Sequence, residues 1–268
     1  MPGNTSTKRP CDLQVSVTPE TLHPDERRTR IQLAACYRVF ALLGWTEMIY
    51  NHITVRLPAT VSGGAKQFLI NPFGLHYSEV SASNLVRIDL RGEVLDGSSH
   101  PVNPAGFVVH AAIHEALPDA HCVMHTHTTA GVAVACLQGG LQKSNFYSAQ
   151  LHDLVAYHDF EGITVHADEA PRLLASIGKK PAVILRNHGL LAWGRTLPHT
   201  FALLWTLQRA CEIQLATFSM GSAIPVPDAV AARCTRDALQ FNPRHGAGLD
   251  MFDALVRQVD RADSSYKL

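Results

Sequence analysis

The sequence predicts an α/β fold in which a mixed sheet is flanked by helices. Segments with strand-like alternation and segments with helical spacing interleave along the chain, and several strand-like segments are joined by tight turns that only antiparallel pairs permit. At 268 residues the chain can bury a large core, and mixed-class proteins of this length are commonly one domain.

Residues 1–24, rich in Pro, Thr and charge, read as an N-terminal arm. From Asp25, DERRTRIQLAACYRVFALLG places Ile31, Ala34, Ala35, Val39, Phe40 and Leu43 at helical spacing and stops at Gly44. NHITVRL (Asn51 to Leu57) alternates as a half-buried strand, and QFLIN (Gln67 to Asn71) follows a Gly-Gly turn. LVRIDLRGEVLDG then reads as strand, Arg-Gly turn, strand. Pro104 opens a second helix, with Val108, Val109, Ala111, Ala112, Ile113 and Leu117 apolar and Pro118-Asp119 closing it. AHCVMHTH follows as a strand and TAGVAVACL as a short helix. DEAPRLLASIG reads as a helix, PAVILRNHGLLAWG as a hairpin, and LPHTFALLWTLQRACEIQLATFSMG as a long helix with a wide apolar face. The tail, 222–268, is expected to be irregular after Pro225 until DMFDALVRQVD, a short amphipathic helix suited to packing on the domain or on a neighbouring subunit.

His125 and His127 alternate at the end of an apolar strand, so their side chains project from one face and can hold one ion together. His188 follows a β-branched run and precedes Gly189, a pattern in which a hairpin turn delivers a ligand to a strand end. Three neutral imidazoles suit Zn2+ and also accommodate iron, manganese or copper, with coordination positions left for water or substrate. The competing account is that these are ordinary loop or core histidines, since the chain carries 15.

Composition narrows the partners. Net charge is zero and charged residues make up only 17%, which argues against nucleic acid and points to small molecules and further copies of the chain. Six cysteines without a CxxC pair read as reduced thiols of a cytoplasmic protein. No apolar leader and no membrane-length apolar run is present, so no membrane partner is expected.

Four segments together resemble the class II aldolase/adducin family: NHITVR (Asn51 to Arg56), INPFGLHYSEV (Ile70 to Val80), NPAGFVVHAAIHEALPDAHCVMHTHT (Asn103 to Thr128) and RNHGLLAWG (Arg186 to Gly194). The resemblance covers about 25–221 and implies one three-layer α/β/α domain around a mixed, mainly antiparallel sheet. It further implies a homotetramer with a divalent-metal site at each subunit seam and His125, His127 and His188 as ligands. In the family's sugar-phosphate aldolases a glutamate one helical turn before a helical histidine moves the proton, and small hydroxylated residues hold the phosphate.

This chain departs from that pattern and is similar to the adducin-like branch that lacks the glutamate. One turn before His110 stands Gly106, which cannot carry a proton. Where the aldolases have a Ser-Ser pair it has Pro104-Ala105, and where they have Thr-Gly it has Phe73-Gly74. A phosphate dianion would lose most of its donors there, so a phosphorylated sugar is not expected as substrate. Phe73 either flattens the pocket wall or merely packs beneath its turn.

The remaining polar candidates are His110, His52, Arg186, Tyr147 and Gln150. On a regular helix His110 shares a face with Gly106 and would look toward the ion across the missing side chain, unless it is satisfied within a helix–sheet contact. Arg186, two residues before His188, is expected either to pair with an anionic substrate or to form a structural ion pair. Tyr147 and Gln150 fall where the family presents loop residues to an adjacent site. Decarboxylation needs an electron sink and one proton donor, whereas retro-aldol cleavage also needs a base. The leading expectation is a metal-dependent carbon–carbon lyase acting on a small non-phosphorylated hydroxy- or oxo-carboxylate, decarboxylation ahead of aldol cleavage. In it Arg186 or His52 orients the carboxylate, and His110 or a metal-bound water donates the proton. The alternatives are a non-haem Fe(II) oxygenase of aryl-pyruvate compounds and a non-catalytic adducin-like scaffold.

Overall fold

The computed structural model describes residues 22–163 and 167–268. The arm expected over 1–24 therefore lies outside the described residues except at its end. There, Pro24 starts helix α1 (Pro24–Leu43), with the His23 Nδ1 accepting the Asp25 N–H. Arg30 of α1 is fully buried. It donates to Glu26 and Asp96 and to the carbonyls of Ala82 and Leu85, pinning the helix to the loops around the sheet.

Seven strands form one sheet: β1 (His52–Arg56), β2 (Phe68–Ile70), β3 (Val86–Ile88), β4 (Cys122–Thr126), β5 (Val155–His158), β6 (Ala182–Leu185) and β7 (Gly189–Gly194), in the order β3-β2-β1-β4-β7-β6-β5. Every neighbouring pair is antiparallel except β5 with β6, so the mixed, mainly antiparallel sheet is as expected. Alternation divides each strand between two cores. Ile53 and Val55, Cys122 and Met124, and Leu190 and Ala192 join α1, α4 (Thr129–Ala135), α7 (Leu197–Phe218) and α9 (Leu249–Ala262) on one face. Val123, Val183, Leu191 and Trp193 meet α3 (Pro104–Ala116) and α6 (Ala170–Ile177) on the other. Three layers result. His52, Thr54 and His125 have the parity of the α3 face, which places the polar residues of β1 and β4 under that helix.

Several elements differ from expectation. The second strand of the Arg-Gly hairpin shrinks to a single bridge between Ile88 and Val94, because Asp89 takes the N–H groups of Arg91 and Glu93 and holds a wide turn. Helix α2 (Ala59–Ser62), helix α5 (Phe146–Gln150) and strand β5 had no strong periodic signal. The tail is not irregular before its last helix: α8 (Asp228–Asp237) occupies it, hidden from pattern reading because Ala231 is its one buried residue. The final helix, α9, sets Phe252 edge-on to Phe201 of α7 at 5.5 Å.

Candidate metal centre and its surroundings

The β4–β1 register puts His125 directly opposite His52, and the turn between β6 and β7 carries His188 back to the same strand end. In that turn Asn187 adopts a left-handed φ of 56°. Gly189 follows because a Cβ there would stand 2.3 Å from the Thr126 carbonyl; only glycine lets the hairpin come this close to β4. His125 Nε2 lies 2.7 Å from His127 Nε2 and 3.3 Å from His188 Nε2, and one nitrogen from each of the three falls within 4.8 Å of the others.

The donor set fits a divalent ion. His125 Nδ1 is 2.8 Å from the Leu190 carbonyl, which accepts its proton and leaves the Nε2 lone pair turned to the cluster. The His127 N–H donates to Asn51 Oδ1 at 2.8 Å, fixing the strand end. Burial holds all three imidazoles below the ordinary histidine range, His127 at about 4, so they stand as neutral ligands. Nitrogen lone pairs at these separations repel one another unless a cation or proton lies between them. With three ligands and no fourth in the set, positions stay available to water or substrate, as in catalytic zinc sites.

The cluster opens into a cleft of about 460 Å³ lined also by Glu47, Tyr50, His52, Asn103, Gly106, Val109, Phe160, Ile163, Leu185 and Asn187. It contains no lysine or arginine among its described lining residues. Arg186 does not enter it. The strand alternation that would have aimed Arg186 beside His188 ends at Leu185, and in the turn its guanidinium reaches the Leu137 and Gln138 carbonyls and covers the Tyr157 ring at 4.6 Å. Tyr147 and Gln150 sit on α5, away from the histidines of their own chain; Tyr147 packs on Trp205, and Gln150 bonds to Phe146 and Gln240. Phe73 lies outside the described lining, with its ring centre 6.5 Å from that of Tyr50.

His110 does not look across a gap. The space one turn before it is filled by His52: a Cβ on Gly106 would stand 2.5 Å from His52 Cδ2 and 2.6 Å from Nε2. Behind His52 runs a buried chain. His52 Nδ1 is 2.9 Å from His110 Nε2, His110 Nδ1 and His114 Nε2 are each 2.7 Å from Thr54 Oγ1, and His114 Nδ1 is 2.7 Å from the Ala120 carbonyl. The carbonyl can only accept, so for neutral rings every proton along the chain is assigned. His114 donates to Ala120, Thr54 to His114, His110 to Thr54 and His52 to His110. His52 Nε2 therefore meets the cleft as a bare lone pair, suited to accepting a proton and unsuited to orienting a carboxylate. His110 acts only through it.

Burial keeps these rings uncharged and drives His114 down to about 3 from an ordinary 6.5. The unfolded chain takes up these protons below about pH 6.5 and the folded one resists, so stability is complete above that pH and is lost as pH falls toward 3. The slope is up to about 1.4 kcal/mol per pH unit for each such histidine. Metal-stripped protein should melt at a lower temperature at pH 5 than at pH 7; equal melting temperatures would contradict the neutral chain.

Glu47 was not recognisable as a site residue, because it lies in the TEMIY stretch with no pattern of its own. Glu47 lines the cleft; its carboxylate accepts from Asn51 Nδ2 and is raised above the usual range by desolvation.

The family model for the class II aldolase and adducin N-terminal domain matches residues 31–215. A Pseudomonas aeruginosa protein provisionally named as a class 2 aldolase is 39% identical, with 96% of this chain and 97% of that protein covered. Alpha-adducin of Mus musculus is 45% identical over 72% of this chain but only 26% of its own length. Among solved structures, an aldolase II superfamily protein from Pseudomonas syringae aligns with a TM-score of 0.85 and 38% identity, covering 93% of this chain and 98% of that one. The L-fuculose 1-phosphate aldolase of Glaciozyma antarctica aligns with a TM-score of 0.78 and 27% identity over 94% and 97%.

Proposed function

The chain belongs to the class II aldolase and adducin family, and from that premise we propose that it is a metal-dependent carbon–carbon lyase of small non-phosphorylated hydroxy- or oxo-carboxylates, with decarboxylation favoured over aldol cleavage. One observation carries this reading: the three imidazoles open into a largely apolar cleft with no lysine or arginine among its described lining residues, and His52 fills the space beside Gly106, where the family resemblance would put the aldolase glutamate. A divalent ion held by His125, His127 and His188, Zn2+ in the first instance and Mn2+ or Fe2+ otherwise, supplies Lewis acidity and chelation of the carboxylate. Tyr50, Phe160, Val109 and Leu185 offer apolar surface to the rest of the substrate, and Asn103 and Asn187 offer amide donors. The Phe73-Gly74 and Pro104-Ala105 replacements argue against a sugar phosphate, even though one structural relative is an L-fuculose 1-phosphate aldolase.

In this reading residues 25–221 form the family domain and 222–268 a tail, and four copies assemble with each site at a seam, where Tyr147 and Gln150 would serve a neighbour. The described cysteines are free thiols, which supports a reducing, cytoplasmic setting. No described helix is long and apolar enough to cross a membrane. The absence of a carboxylate from the ligand set disfavours an oxygenase of the two-histidine, one-carboxylate kind. The similarity to alpha-adducin favours a second reading, a scaffold without catalysis.

Release of labelled carbon dioxide from a panel of carboxyl-labelled hydroxylated aromatic and heteroaromatic acids tests the proposal. Release is expected from metal-loaded protein, to stop on chelation and to return on adding Zn2+ or Mn2+. Turnover that persists in the stripped protein would contradict it.

A further inference from the structure

We propose that Glu47 is the proton donor of the cleft, the role that Gly106 cannot fill. This rests on the lyase reading above. Glu47 comes from the loop between α1 and β1 and not from α3, yet it lines the same cleft as the three ligand histidines, and it is the one acidic residue among the described lining residues. It is not part of the three-histidine ligand group, so it lines the site without belonging to that group.

Two further features hold it there. Asn51 donates to the Glu47 carboxylate and, at 3.0 Å, to the Trp45 carbonyl, while its Oδ1 takes the His127 N–H at 2.8 Å. One buried amide thus ties the carboxylate and the metal-ligand strand into the same frame. The backbone is also bent to present it: Glu47 and Met48 have φ of 37° and 63°, two successive left-handed residues that are not glycine. Such residues are strained and persist where the surroundings impose them, most often at functional sites.

Elimination among the lining groups leads to the same residue. His125, His127 and His188 are committed as ligands. His52 presents a lone pair, and Asn103 and Asn187 are amides, not acids. Tyr50 is a largely exposed phenol. Desolvation raises the Glu47 carboxyl and so favours its protonated form, with Asn51 pulling the other way; the buried Tyr77 hydroxyl stands behind it and the cleft histidines stand before it. In the step itself the substrate bond between carbon and carboxylate breaks, carbon dioxide leaves, and the electron pair stays on carbon. The Glu47 O–H bond breaks toward oxygen and its proton forms the new C–H bond. Water then reprotonates the carboxylate.

Glu47→Gln in the full-length, zinc-loaded protein tests this assignment. Metal content should be unchanged while kcat for carbon dioxide release falls about 10²–10⁴-fold with little change in KM, and Glu47→Asp should recover part of the loss. Independently of turnover, wild-type minus Glu47→Gln infrared difference spectra should show a protonated-carboxyl band that persists above the pH at which an ordinary glutamate ionises. A glutamine variant within about threefold of wild type, a carboxyl band that titrates normally, or an equal or larger loss in Tyr50→Phe would overturn the assignment. If the wild type releases no carbon dioxide from any acid in the panel, the lyase reading itself falls, and this role with it.

Discussion

His125→Ala should abolish stoichiometric metal binding and lower turnover by about 10³-fold or more, since a bound Lewis acid contributes several kcal/mol and each 1.4 kcal/mol is tenfold. His125 is the ligand to remove because it joins the other two: its Nε2 is the atom near both His127 and His188, and its Nδ1 is locked by the Leu190 carbonyl. The ring is almost wholly buried between β1 and β7, so its loss also leaves a small void beneath His52. His125→Gln keeps much of that volume, and it should be as inactive as the alanine variant while melting closer to wild type. A stable variant with full metal content and turnover would mean that the cluster is not the reaction centre.

The second large effect is expected from one methyl group. Gly106→Ala places a Cβ within 2.5–3.1 Å of three atoms of the His52 ring, and that ring cannot swing aside without breaking its bond to His110. The added carbon should cost about 1–3 kcal/mol of stability, the usual range for overpacking, and should displace His52 from the cleft. A fall in turnover of at least tenfold with unchanged metal content is the predicted kinetic result. Gly106→Glu, which restores the side chain of the sugar-phosphate aldolases, should be worse still while His52 is present. Removing His52 in the same protein, as His52→Ala with Gly106→Glu, should relieve the clash and recover stability lost in the single variant, measured by thermal denaturation. If Gly106→Ala is neutral in both stability and turnover, the steric exchange of His52 for the glutamate is wrong.

These two positions also show what pattern reading reached and where it stopped. The clustering of His125, His127 and His188 was legible because strand alternation and a hairpin turn are local rules: His125 and His127 share a face by period, and Gly189 announces the turn that returns His188. The order of β1, β4 and β7 within the sheet was not local information, and it is this order that sets His52 opposite His125. For that reason the glycine at 106 was visible while the His52 ring that fills the space beside it was not. Of the two readings of Arg186, the substrate-facing one extended a period of two into a turn, where alternation no longer applies, while the structural one fits its Asp159 partner at 3.8 Å. His110 was placed on the correct helix face, but its partners come from β1 and from the Ala120 carbonyl beyond the helix end. Glu47 carries no spacing signal at all, since its position depends on left-handed backbone and on one buried asparagine. In the tail, α8 escaped notice because a helix with one buried residue leaves almost no hydrophobic period to read.

The scaffold and enzyme readings part most sharply on the ion itself. A binding protein has no physical need for three imidazoles gathered within 4.8 Å of one another, whereas a lyase built as proposed cannot work without the ion they would hold. Elemental analysis of wild-type protein from metal-replete growth, alongside His125→Ala prepared in the same way, measures this directly. The account predicts one divalent ion per chain in the wild type and none retained by the variant; an empty wild-type site, or equal metal in both proteins, would contradict it.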